Sequence, residues 1–233
     1  MPPKISFVMP TRNRLEWIGE SLQSLLSQTI VHDTEIIVVD DASDDGTKEF
    51  LDDWASKFPE VKIIRNEKQM GGGRSRNIGM EAASAPIIGV CDDDDINPVE
   101  RAEITLKYFE EHPDSELVNF PNIQIGYCNE RLEEFEGEPF DYEKFKNGQG
   151  VYFCNPSAAF KKKSAEEIGG YEPEFSNENV KETDDIQFLR KWVNAGKKVD
   201  FVPDYFMVYH RVLKDSMMAK IRGWQPKWAT KAT

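Results

Sequence analysis

The chain has 233 residues with a formal net charge of −13, an apolar fraction of 39% and 14 Phe, enough to bury the core of one large domain or two closely packed halves. The acidic balance excludes a non-specific grip on nucleic acid, which needs a basic face, and no apolar run reaches the length of a membrane span. Met1-Pro2-Pro3-Lys4 leads straight into a strand pattern and not into a signal peptide, and Cys91, Cys128 and Cys154 lie far apart, so the expectation is a cytoplasmic protein with reduced, packing cysteines and no zinc site.

Ile5-Ser6-Phe7-Val8-Met9 reads as a first strand closed by Pro10. The polar loop Thr11-Arg12-Asn13-Arg14 follows. Leu15 to Gln28 then places Ile18, Leu22, Leu25 and Leu26 at helical spacing. Glu35 to Val39 is an almost continuous apolar run, the pattern of a strand buried on both faces. It ends in Asp40-Asp41-Ala42-Ser43-Asp44-Asp45-Gly46-Thr47, with a helix to about Phe58. Val61 to Ile64 is a third strand, and Gly71-Gly72-Gly73-Arg74-Ser75-Arg76-Asn77 opens a helix to about Ala83. The triplet with Arg74 and Arg76 would let backbone approach a phosphate closely, or is simply a flexible turn. It has neither the G-x-G-x-x-G spacing of a dinucleotide site nor the Gly-Lys-Ser/Thr of a Walker A loop.

The fourth strand, Pro86 to Cys91, ends in Asp92-Asp93-Asp94-Asp95, with a helix from Pro98 to His112 behind it. Four adjacent carboxylates repel one another, and a hard divalent cation taking oxygen ligands would neutralise them. A solvated turn or the acidic start of a helix is the other reading. Alternating strands and helices with short links predict an α/β fold with a mostly parallel sheet wound by right-handed crossovers. The loops starting at Pro10, Asp40 and Asp92 then share one edge of the sheet, where ligands of such folds bind.

The character changes from about Glu116. Asn129 to Gly150 is an acidic and aromatic excursion. Short strands are expected at Val151 to Phe153, Ala158 to Phe160 and Val199 to Val202, the last stopped by Pro203. A short helix spans Ser164 to Ile168, and another Ile186 to Ala195, with Phe188, Leu189, Trp192 and Val193 facing inward. Asp184 and Asp185 stand where acids cap a helix, and capping alone would account for them. His210 is a ligand or a packed polar residue. Lys214 to Thr233 carries five basic residues against Asp215 alone, together with Trp224 and Trp228. Such a tail could lie on a membrane surface, mediate self-association or fold back on the acidic body.

The order of these pieces resembles the family 2 glycosyltransferases, which have the GT-A fold, over about residues 4 to 211. The resemblance is carried by Val8-Met9-Pro10-Thr11-Arg12-Asn13, by Gln28-Thr29 with Glu35 to Thr47, by Arg76-Asn77-Ile78-Gly79, by Asp92 to Asp95, by Gly169-Gly170-Tyr171 with Thr183-Asp184, and by Tyr209-His210-Arg211. It implies a Rossmann-like sheet with a smaller mixed region on the acceptor side. Residues 1–115 would bind the nucleotide sugar, 116–213 would carry the acceptor site and the base, and 214–233 would form a tail. Asp41 would bind the nucleobase, with Pro10, Thr11 and Arg12 lining the same pocket. Arg74, Arg76, Asp92 and Asp93 would complete the donor site, Asp92 and Asp94 being the D-x-D pair. Asp94 would ligate Mn²⁺ or Mg²⁺, with His210 completing the protein ligands, and Asp184 would be the general base of an inverting transfer.

The donor implied is a nucleoside-diphosphate sugar, UDP-linked. The acceptor is a hydroxyl on a glycan, lipid-linked sugar, protein, small molecule or modified nucleobase. Tyr127, Phe153, Tyr171 and Trp192 are either its pocket or core. Three departures stand out: Arg12 replaces an aromatic residue, Thr183 replaces a glutamate, and the segment between Asp95 and Pro98 is one residue short. A nucleotidyltransferase using Arg12 and Arg14 on a triphosphate, and a sugar-nucleotide-binding protein with a degenerate site, are the competing readings.

Overall fold

A computed structural model describes residues 1–126, 131–135 (backbone only), 140–147, 149, 153–172, 183–205 and 207–211. Tyr127, Cys128, Val151, Tyr152, Glu182 and the basic tail lie outside them. Strands β1 (Ile5–Thr11), β2 (Thr34–Asp40), β3 (Val61–Arg65) and β4 (Ile87–Val90) alternate with helices α1 (Ile18–Leu26), α2 (Thr47–Lys57) and α3 (Gly72–Ala82). Helix α4 (Arg101–Glu111) follows β4. These strands pair in parallel in the order β3-β2-β1-β4.

Side chains alternate across the sheet with the period of two that a strand imposes. Ile5, Phe7, Met9, Ile36 and Val38 face one core with Ile18, Leu22, Leu25, Leu51 and Phe109 of α1, α2 and α4. Val8, Ile37, Val39, Ile88 and Val90 face the other core with Met80 of α3. That two-sided burial explains why these strands read as unbroken apolar runs.

The second half extends the same sheet. Strands β5 (Leu117–Asn119), β8 (Ala158–Lys161) and β9 (Val199–Phe201) complete seven in the order β3-β2-β1-β4-β8-β5-β9, with β8 antiparallel to both neighbours. A smaller sheet, β10-β6-β7, is built from β6 (Asn122–Ile125), β7 (Arg131–Phe135) and β10 (Val208–Arg211). Helices α5 (Tyr142–Lys146), α6 (Lys162–Glu167) and α7 (Asp184–Asn194) contribute Phe145, Ala165, Phe188, Leu189, Trp192 and Val193 to the second core. No helix among the described residues is long and apolar enough to cross a membrane.

Two sequence expectations change, and one open alternative is resolved. β1 is not closed by Pro10 but runs to Thr11, paired with Asp40. The partner on its other side, β4, stops pairing at Val8, so the N–H that proline lacks is not needed there. The excursion at Asn129 to Gly150 contains strand β7 and helix α5, the latter capped by Asp141, whose side chain accepts from the Glu143 and Lys144 amides. Tyr171 and Trp192 are fully buried, Tyr171 stacked on Phe188 at 3.9 Å, so they are core and cannot line an acceptor pocket.

Candidate active site

The carboxyl ends of β1, β2 and β4 lie side by side because these strands are parallel neighbours. The loop after β1 is tied to the loop after β2: the Asn13 side chain donates to the Asp44 carboxylate at 2.8 Å and accepts from the Asp44 backbone amide at 2.9 Å, and the Leu15 amide donates to Asp45. Pro10 and Thr11 end β1 there, Thr11 being buried, whereas Arg12 is exposed. Ala42 holds φ +61°, in the left-handed region that costs a non-glycine residue energy. Asp41 is buried, and its carboxylate accepts from the Asn66 side chain and the Met70 amide at 2.7 Å and the Gly71 amide at 2.8 Å. Those bonds set the turn that launches α3.

Helix α3 carries the contact that joins the two halves. Arg76 donates through Nη2 to Asp92 at 2.9 Å and through Nη1 to Asp184 at 2.7 Å, with all three side chains largely buried. Burial opposes its charge, but Asp184 and Asp92 outweigh that and hold the guanidinium firmly protonated. Its Nε–H has no partner among the described residues. The next residue, Asn77, makes a pair of 2.8 Å bonds with the backbone of Tyr171, fixing the Gly169–Tyr171 turn to the same helix. Two glycines allow this closeness. A Cβ on Gly73 would stand 2.8 Å from the Glu172 carbonyl, and one on Gly170, whose φ is +62°, would stand 2.5 Å from Asn77 Oδ1. Arg74, about 200° round the helix from Arg76, is exposed.

The four acids of the β4 tip have four different surroundings. Asp92 takes Arg76. Asp93 is pushed up to about 6 by burial, against the Thr11 hydroxyl and the Arg14 guanidinium 3.4 Å away. Asp95 accepts from His210 Nδ1 at 3.1 Å and the Arg211 amide at 2.8 Å. Asp94 receives no side-chain hydrogen bond or ion pair from the described residues. Burial and then the charges of Asp95, Asp93 and Asp92 push its carboxyl well above the ordinary range.

His210 lies close enough to Asp94 to feel its charge. Burial opposes protonation of the ring, but Asp95 outweighs it and the pKa rises well above the usual value. Arg211 donates to the Asp94 carbonyl at 2.9 Å and to Glu20 at 2.7 Å, and lies over the Trp17 ring. Asp184 is the first residue of α7, whose N-cap position is Thr183; its carboxylate accepts from the adjacent Asp185 amide at 3.1 Å as well as meeting Arg76. Thr183 pairs with Asp185 and not with Asp184.

Sequence reasoning gave no individual role to Asp95, Asn77 or Arg211. The signal for Arg211 was its position directly after His210. For Asn77 it was the neighbouring Arg76. Asp95 was hidden as the last of four identical letters.

Comparisons with known proteins decide the family. A profile of Glycosyl transferase family 2 matches residues 6–169. The chain belongs to that family. It is 26% identical over 226 residues to a glycosyltransferase of Methanocaldococcus jannaschii, covering 94% of this chain and 75% of the other. It is 27% identical to the amylovoran biosynthesis glycosyltransferase AmsE of Erwinia amylovora, covering 91% and 77%.

Among solved structures, Staphylococcus aureus TarS residues 1–349 in complex with UDP-GlcNAc superposes with a TM-score of 0.74 at 20% identity, covering 93% of this chain and 60% of that one. A Pyrobaculum calidifontis mannosyltransferase in complex with GDP-Man and Mn²⁺ gives 0.71 at 21% identity, covering 94% and 60%. At that identity these two show the fold, a GT-A fold, and the chain spans 60% of their length.

Proposed function

We propose that this glycosyltransferase transfers a sugar from a nucleoside-diphosphate donor, UDP-linked, to a hydroxyl acceptor with inversion, and that it does so with a divalent cation. The observation that carries the reading is the guanidinium of Arg76. It bonds Asp92 of the acidic strand tip at 2.9 Å and Asp184 of the later helix at 2.7 Å, so carboxylates 92 positions apart in the chain meet at one guanidinium. Donor chemistry at the first and proton abstraction at the second need that proximity.

The residues present fit a hard cation. Asp94 offers a crowded carboxylate with no competing donor among the described residues, and His210 offers an imidazole within its electrostatic reach. Among the described residues no third metal-ligating side chain joins them. A site of two protein ligands is what a cation shared with a substrate diphosphate uses. Asp94 and His210 would hold the ion, and Mn²⁺ suits the mixed oxygen and imidazole set. When bound, it would neutralise charge growing on the departing diphosphate.

The chain's own groups do the rest. The loops at Pro10 to Arg12 and Asp41 border the nucleoside. Asp93 stands at the same strand tip as Asp92, whereas Arg74, exposed and about 200° round α3 from Arg76, points away from that site. Arg76 offers positive charge beside the diphosphate and holds Asp184 in place. Asp184 accepts the proton of the attacking hydroxyl, and a single displacement on the opposite face from the leaving group inverts the anomeric centre. Residues 1–115 then serve the donor and 116–213 the acceptor.

TarS with UDP-GlcNAc and the mannosyltransferase with GDP-Man and Mn²⁺ support this class of donor, as does a 26% identical Escherichia coli galactosyltransferase whose donor is UDP-Gal. Thermal unfolding with a panel of nucleoside diphosphates and sugar nucleotides tests the proposal. UDP with Mn²⁺ should raise the midpoint by several degrees, and UDP alone by much less. A panel with no stabilising nucleotide, with or without the ion, rejects it.

A further inference from the structure

We propose that Asp95 is the positioning residue for His210: it holds the imidazole in the tautomer and orientation that presents Nε2 to the cation. This rests on the metal reading above.

Asp95 is 1% exposed and is fixed at both ends. Its carbonyl accepts from Ser21 of α1 at 2.6 Å. Its carboxylate meets β10, taking the Arg211 amide at 2.8 Å and lying 3.1 and 3.2 Å from His210 Nδ1. A carboxylate only accepts, so the proton of this bond sits on Nδ1, and in the neutral ring the lone pair is left on Nε2. Nε2 has no hydrogen-bond partner among the described residues, and the side chain is 32% exposed.

The backbone makes the pair rigid. Ile96 and Tyr209 exchange amide bonds at 3.1 and 2.8 Å, so the residues after the acid run and those of β10 move as one piece. The other acids have different tasks, Asp92 facing Arg76 and Asp93 facing Arg14, and Asp94 is left to face the ion. A ligating histidine ordinarily gives its second N–H to a carboxylate, and loss of that partner weakens metal binding about ten- to a hundredfold.

The test is Mn²⁺ affinity, read from the resonance of free Mn²⁺ in the presence of saturating UDP. It compares the native chain, Asp95→Asn, His210→Ala and the double variant. Asp95→Asn should weaken Mn²⁺ binding about ten- to a hundredfold, and the double variant should bind no more weakly than His210→Ala alone. Unchanged affinity in Asp95→Asn overturns the proposal. So do fully additive losses, which would mean that Asp95 acts by itself as a ligand or a charge.

If the native chain takes up no Mn²⁺ with UDP, the metal reading fails, and this proposal with it, by a different observation. A second measurement needs no variant. The chain has three histidines, so long-range ¹H–¹⁵N spectra with UDP and Zn²⁺, a diamagnetic stand-in, report each ring. His210 should show a protonated Nδ1 and a bare, metal-shifted Nε2. A proton on Nε2 contradicts the proposal.

Discussion

The tips of β2 and β4 flank the end of β1, each rich in aspartate, and they treat their carboxylates in opposite ways. At the β2 tip the protein supplies the donors. Asp41 has three, and Asp40 takes the Ser43 amide at 3.0 Å with Arg65 at 3.6 Å. At the β4 tip Asp94 has none from the described residues and is surrounded by like charge. A carboxylate saturated by the fold builds structure, because buried donors left unpaired cost energy. A carboxylate left crowded and unsatisfied is a candidate functional group, and it is the one the proposed cation would take.

The largest effect that this contrast predicts lies on neither tip. Asp184→Asn keeps a hydrogen-bond acceptor for Arg76 but cannot take a proton. Transfer should fall by about a hundred- to ten-thousandfold, with UDP affinity within a few fold of native. Near-native turnover would remove Asp184 from its role.

The tips themselves should separate by stability. Asp41→Asn sets an amide NH₂ against donors from Asn66, Met70 and Gly71, and should cost about 2 kcal/mol in denaturant unfolding. Asp94→Asn relieves crowding and should leave the midpoint unchanged or higher. If both variants lost the same stability, the distinction between the tips would fail.

A smaller effect comes from strain at the β2 tip. Ala42→Gly removes a left-handed alanine and should raise stability by about 1 kcal/mol. Loss of stability there would mean that the conformation is not strained.

The smallest lies at the far end of the sheet. Burial works against ionisation of Glu35, but the Ser6 hydroxyl and the Ser84 amide and hydroxyl outweigh it and lower its pKa below 4.5. Its contribution is therefore complete above pH 4.5 and is lost as the pH falls through the lower folded value. In Glu35→Gln the acid limb of the stability profile should flatten, with the neutral region little changed in shape.

The first half of the fold was legible because burial on both faces writes itself into sequence. Glu35 to Val39 and Pro86 to Cys91 could be nothing but interior strands, and the acids after them marked the sheet edge. β5, β6 and β10 were not read as strands: three or four residues establish no period, and the equally short β8 and β9 were read only as brief apolar runs, β9 with Pro203 to close it. Helix α5 is five residues long and its signal was the single cap Asp141.

At the site, residue types pointed to a cation and a base, but not to which acid does what. Four identical letters stand in four environments, and only the long-range partners Arg76, Arg14 and His210, contributed by other elements, distinguish them. Arg76 itself was expected at a phosphate, and its bonds to Asp92 and Asp184 depend on contacts 16 and 108 positions away.

Calorimetric titration of UDP into the native chain and Asp94→Asn, each with and without Mn²⁺, tests most directly whether the unsatisfied carboxylate of the β4 tip holds the cation. The native chain should bind UDP at least tenfold more tightly with the ion, and Asp94→Asn should bind it equally with and without. An Mn²⁺ dependence retained in full by Asp94→Asn would contradict the assignment.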